Sequence, residues 1–196
     1  MRPVATDRSA LTKAAPPRRG RRRGFRCDQD GAVAVEFALL ALPFFAIIAA
    51  ILETAFFFLA SQVFDSAVDN SVRLLRTGQA QVQNYTVETY RTAICDRLFG
   101  LFDCTIAGDK LHVEVNTAAN FAAASFAYPL EEDPDTGIYE WKDTELYTPG
   151  EGSQIVTVRV YYKWPTILDI MGFNLANAGD GYRLMAAVRV FRNEPF

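Results

Sequence analysis

The 24 residues Phe37–Ala60 constrain this chain more than any other feature. Phe37–Leu52 is sixteen residues without a charge, and after Glu53 and Thr54 the apolar run resumes as Ala55–Ala60. As an α-helix this stretch is long enough to cross a bilayer. It is apolar on every side, whereas a helix on the surface of a soluble domain has a polar face. Two other readings compete: a buried core helix and a cleaved secretory signal. The cationic cluster ahead of the run argues against the first. Against the second, the following ETAFFFLASQ has no good small-x-small cleavage site. The run therefore reads as a retained membrane helix, in which Pro43 can bend the axis without breaking it.

Charge gives the helix a direction. The 196-residue chain has a formal net charge of −3, but its charges are segregated. Residues 1–31 hold nine basic and three acidic residues, a net +6; residues 32–196 hold 11 basic and 20 acidic, a net −9. Arg18, Arg19, Arg21, Arg22, Arg23 and Arg26 lie just ahead of the apolar run. Such a cluster can serve a nucleic-acid-binding tail. Beside a membrane span it reads as the positive-inside anchor, with no nucleic-acid partner. The head then stays in the cytoplasm and the acidic body is exported. Pro16 and Pro17 discourage a helix in the head. One His and three Cys offer little for a metal cluster, and no cofactor is expected. A nucleophile elbow and a phosphate loop are both missing, so an enzyme is not expected either. The reading from another class is a signal-anchored periplasmic enzyme or ligand-binding domain.

Two carboxylates bracket the uninterrupted apolar stretch. Glu36 and Glu53 are 17 residues apart, roughly 25 Å along a helix axis. Glu53 suits a place near one headgroup layer, as a second intramembrane or interfacial carboxylate. Glu36 sits inside the apolar string Ala32–Leu42, and an acid at that depth needs a partner. The order is a basic head, Gly31, four apolar residues from Ala32 to Val35, and then Glu36. It resembles the type IV prepilin processing signal. The resemblance implies that prepilin peptidase cuts between Gly31 and Ala32. Glu36 would then be the fifth residue of the mature chain and would offer its carboxylate to an N-terminal amine, its own or a neighbour's. Pairing of that kind makes a buried charge tolerable.

The wider stretch of residues 24–80 resembles the TadE-like family of minor pseudopilins of the Flp (tight adherence) pilus system. It carries GAVAVEFALL at Gly31–Leu40, Phe37 directly after Glu36, Pro43 early in the helix, Glu53 later, and an amphipathic continuation ending near Gly78. Membership implies a processed, non-enzymatic subunit needed for pilus assembly, adhesion or secretion. Its implied partners are prepilin peptidase, other pilins or pseudopilins, the pilus assembly platform and membrane lipid. The implied location is the bacterial inner membrane, single-pass, with the N-terminus cytoplasmic and the C-terminal domain periplasmic, or an extracellular pilus after assembly.

The expected organisation is a leader at 1–31, a transmembrane helix at 32–60 and an exported α+β domain at 61–196. Val63, Phe64, Ala67, Val68, Val72 and Leu75 form a helical stripe beyond the membrane. Arg73 and Arg76 suit the helix end, and Gly78 suits the C′ position. A second helix is expected at Thr86–Phe99. Leu111–Asn116, Ile155–Tyr162 and Leu184–Phe191 read as strands of a small antiparallel sheet. The whole is a pilin-like α+β fold on a long N-terminal helix. With Cys27 in the leader, Cys95 and Cys104 remain as an even pair suited to a disulfide in an oxidising compartment, the alternative being two free thiols. The acidic stretch Glu131–Glu151 fails the EF-hand spacing at Gly137 and reads as a solvated loop. His112 reads as an exposed strand residue. Trp164–Phe173 reads equally as a docking surface or a loop covering the core.

Overall fold

A computed structural model describes residues 30–105, 109–124, 128–170 and 173–196. Cys27 and the leader arginines lie outside these residues. The chain divides into two units, residues 1–43 and 44–196. Helix α1, Asp30–Arg76, includes Pro43. Within the described residues of the first unit it is the only element, and all its large apolar side chains there are exposed.

Among the described residues of the second unit, α1 is followed by a single-turn helix α2 (Gln79–Val82), helix α3 (Val87–Cys95) and eight strands. The strands are β1 (Leu111–Ala118), β2 (Leu130–Glu132), β3 (Tyr139–Trp141), β4 (Leu146–Tyr147), β5 (Ile155–Pro165), β6 (Asp169–Ile170), β7 (Phe173–Asn174) and β8 (Tyr182–Arg192). The main sheet has the order β4-β1-β5-β8. Its three long strands are antiparallel, with Val113 opposite Val160 and Val160 opposite Ala187. The short β4 adds to the edge in parallel. A long apolar N-terminal helix leading into a β-sheet domain is the α+β, pilin-like arrangement expected from the sequence.

The amphipathic half of α1 forms because its apolar residues recur at three and four. Ala60, Phe64, Ala67, Val68, Val72 and Leu75 are buried. They meet Leu111, Val113, Val115, Val158, Val160 and Tyr162 from one face of the sheet in a single core cluster. Phe64 stacks on Phe102, and Phe102 meets Tyr162 edge-on with ring centres 4.8 Å apart. The helix ends as the sequence suggests: Arg73 and Arg76 lie in its last turn, and Gly78 takes a left-handed φ of 77°. A β-carbon at Gly78 would lie 2.5 Å from the Phe196 ring, so both space and backbone demand glycine there.

Helix α3 is shorter than the expected Thr86–Phe99. Thr86 is its N-cap and forms a capping box with Thr89, and its buried residues are Tyr90 and Ile94. After Cys95 the chain continues in turns, with Leu98 still buried. Cys95 and Cys104 form a disulfide with Cα atoms 6.1 Å apart. Beyond it, the Asp103 N–H donates to the Tyr162 hydroxyl at 2.9 Å. The bridge thus fixes the chain between α3 and β1 against the central strand.

The other face of the sheet departs from the expectation. His112 is buried, not exposed. The excursion between β1 and β5 is not wholly a solvated loop; it contains the antiparallel pair β2–β3. Trp141 from β3 stacks on the His112 ring with centres 4.7 Å apart. Of its acidic side chains Glu131, Glu132 and Asp135 are among those that remain exposed, which is why the segment reads as acidic and solvated from composition. The apolar Leu130 and the aromatic Trp141 that turn inward are too few to set a periodicity.

Candidate functional site

The site suggested by the sequence lies on the first turns of α1. Gly31 and Ala32 occupy its N-terminal turn and both are exposed. A β-carbon on Gly31 would meet nothing within 4 Å, so the glycine is not required by packing in this fold. First-turn N–H groups have no intrahelical acceptor and such turns open readily. Glu36 is exposed one turn later. A cut before Ala32 would place a new amine four residues ahead of Glu36, and positions i and i+4 share one face of a helix. An ammonium and a carboxylate would then be neighbours on the same chain.

Around these residues, and over much of the apolar run beyond them, the large apolar side chains of the helix are exposed. Val33, Val35, Phe37, Leu39, Leu40 and Leu42 are all exposed, as are Phe44, Ile47, Ile51 and Phe58 further along. Soluble monomers rarely leave so long an apolar surface bare, and such surfaces mark contact with protein or membrane. Among the described residues, α1 is the helix long and apolar enough to cross a membrane.

Glu53 has a partner that the sequence gives no way to find. Its carboxylate accepts the Ile167 N–H at 2.6 Å and the Leu168 N–H at 3.2 Å. The helix therefore holds the start of the β6–β7 excursion, 114 residues further along the chain. Trp164, at the end of β5, packs on Phe56, and the Arg183 guanidinium lies 4.9 Å over the Phe57 ring. Of the stretch Trp164–Phe173, open between two readings in sequence, Trp164 lies in the core and Ile167 and Leu168 lie against α1.

Further along α1, Asp65 and Asp69 face one arginine. Arg189 donates to Asp65 Oδ1 at 3.1 Å and also to Asp69. The Asp69 hydrogen bond, with help from Asp65, holds the guanidinium pKa above its ordinary value. This clamp ties β8 to the helix. In the sequence the two aspartates read only as the polar side of the stripe.

A second charged group lies on the sheet face away from α1. Glu114 accepts from Arg159 at 2.7 Å, directly across the β1–β5 ladder, and is 3.2 Å from His112 Nε2. The His112 hydrogen bond, aided by the Arg159 charge, keeps the Glu114 carboxyl below its usual pKa against the opposing effect of burial. Glu145 binds Arg91 of α3 and accepts the Val113 N–H at 3.0 Å. The charges of these groups pair with one another, which is the pattern of structural ion pairs. Among the described residues no three His, Cys, Asp or Glu side chains converge on a site for a metal ion.

Residues 31–73 match the TadE family model, described as TadE-like protein. Over those residues the family resemblance read from the sequence is borne out. The match starts at Gly31 and ends at Arg73, three residues before the end of α1. Neither the curated proteins nor the solved structures contain a match to this chain.

Proposed function

We propose that this chain is a minor pseudopilin of a Flp-type (tight adherence) pilus system. In this reading prepilin peptidase removes the leader of residues 1–31, residues 32–60 anchor the protein in the bacterial inner membrane, and residues 61–196 form the periplasmic domain. The protein is a substrate of an enzyme rather than an enzyme. It acts by packing α1 laterally against the helices of other pilins or pseudopilins on the pilus assembly platform. Glu36 sets the axial register, because a mismatched offset would strand its charge in an apolar surround.

One observation carries this reading. The TadE-like match opens at Gly31, where a glycine not needed for packing precedes four apolar residues, Glu36 and an apolar run with exposed side chains. Association of such helices gains chiefly from burying apolar side chains, about 25 cal/mol per Å² removed from water, or from close packing where lipid is the solvent. Co-expression with a prepilin peptidase tests the proposal. The chain should shift to a lower apparent mass by the length of the leader. Replacing Gly31 with Phe should abolish the shift, since a bulky side chain obstructs backbone entry into a tight cleft. The same shift in the Gly31→Phe chain would refute processing at this position.

A further inference from the structure

The excursion between β5 and β8 carries an apolar surface at an unusual place. Ile167 is 84% exposed, more than any other large apolar residue of the domain. It follows Pro165, the last residue of β5, and lies directly against α1 through Glu53. Phe173 of β7 lines a groove of about 590 Å³ with Ile47, Ala50, Ile51, Ala55 and Phe58 of the helix. Those helix residues belong to the apolar run that reads as membrane-spanning. The excursion therefore lies beside α1 at levels where the surroundings of the helix are lipid.

Backbone chemistry favours the same location. A segment in contact with hydrocarbon must satisfy its N–H groups from within the protein. The Ile167 and Leu168 N–H groups are both taken by the Glu53 carboxylate. Thr54, which also lines the groove, donates its hydroxyl to the Ala50 carbonyl at 2.8 Å and leaves no open donor. In the β6–β7 pair Asp169 stands opposite Asn174, which puts two polar residues on one face, while the Phe173 ring lies in the apolar groove. An amphipathic element of this kind fits the boundary between headgroups and acyl chains, not the bilayer centre. Above it, Trp164, Tyr182 and Arg183 stand at the end of the β5–β8 ladder. Aromatic and basic side chains collect at that boundary.

We propose that residues 166–169, with Phe173 and Asn174, form a membrane-contacting element. Ile167 and Phe173 lie among lipid acyl chains at the bilayer face that carries the domain, and Asp169 and Asn174 lie at headgroup level. Glu53 fixes the element to the helix and so sets the height and rotation of the sheet above the membrane. The inference rests on α1 being the membrane anchor and is independent of any role in a pilus.

Depth-dependent quenching tests it on the full chain. With Cys27 replaced by Ser and Cys95 and Cys104 bridged, single cysteines are introduced as Ile167→Cys, Leu42→Cys and Gln83→Cys. Each is labelled with an environment-sensitive fluorophore and reconstituted in phosphatidylcholine–phosphatidylglycerol vesicles at high lipid-to-protein ratio. All three positions are exposed, so the substitutions leave the core intact. The Ile167 label should emit at short wavelength and lose most of its intensity to lipids carrying a doxyl group near the headgroup. The Gln83 label, at the end of α2 beyond the far end of α1, should emit as in water and resist quenching. Water-like emission at Ile167 with a quenched Leu42 label would overturn the proposal while leaving the anchor intact. Short-wavelength emission at Ile167 without quenching would assign the surface to a neighbouring protein copy and overturn it equally. An unquenched Leu42 label would instead refute the anchor on which the inference rests.

Discussion

The Glu53 carboxylate accepts the backbone N–H of Ile167 at 2.6 Å, and this contact joins the apolar helix to the last long connection of the sheet. Removing the acceptor would leave the Ile167 and Leu168 N–H groups without their partner, at a cost of about 1–3 kcal/mol where water is scarce. In Glu53→Ala, amide exchange at Ile167 and Leu168 should accelerate by about fivefold or more, tenfold being the equivalent of about 1.4 kcal/mol. Exchange in the core strands β1 and β5 should stay unchanged. Hydrogen–deuterium exchange of the reconstituted protein measures both.

The elements that were legible in the sequence are those in which one face repeats. The stripe from Val63 to Leu75 announced the buried side of α1, and the alternation in Leu111–Asn116 announced β1. Gly78 announced the helix end because few residues tolerate its backbone angle. The unannounced elements are short or depend on distant partners. β6 and β7 have two residues each, too few for a period. His112 read as exposed because strand alternation says which side a residue faces, not what covers that side. Trp141, 29 positions later, supplies the cover. The link between Glu53 and Ile167 left no local trace, since a carboxylate bound to backbone N–H groups requires no particular side chain opposite. Gly31, Ala32 and Glu36 could be singled out in the sequence because the role proposed for them lies in spacing along one helix.

Glu114 makes stability depend on acid pH. Its folded-state pKa lies below the unfolded value near 4.3. The stabilisation is therefore fully present above about pH 4.3 and is lost as pH falls through the folded-state pKa. The Glu114→Gln chain should lack this contribution and leave the partly buried Arg159 without its counter-charge. That loss should cost about 2–3 kcal/mol at neutral pH, slightly under the usual figure for a fully buried pair. Urea midpoints from pH 7 down to pH 3 provide the check. The gap between wild type and variant should be wide at pH 7 and narrow toward pH 3.

The Cys95–Cys104 bridge closes a short loop, its ends nine positions apart in sequence. Such a crosslink contributes roughly 2–3 kcal/mol by restricting the unfolded chain. Replacing both cysteines with serine should lower the Tm by roughly 5–12 °C for a domain of this size. Reducing agent should produce a similar drop in the wild-type chain and none in the double variant. Calorimetry of both proteins with and without reductant makes the comparison.

The proposed function gives Glu36 a part in assembly, not in cleavage. The Glu36→Ala chain should be processed to the same apparent mass as wild type but enter pili about tenfold less, the population change expected for a loss of about 1.4 kcal/mol. Immunoblots of sheared pili and of membranes report the two steps separately. Glu36→Gln should fall short of rescue, because an amide supplies no counter-charge to an ammonium group.

The N-terminal residue of the membrane-extracted protein tests the central claim most directly. Isolated from cells with an active prepilin peptidase, the mature chain should begin Ala-Val-Ala-Val-Glu, with Ala32 first and Glu36 fifth. A sequence starting at Met1, or at any residue other than Ala32, would contradict the account.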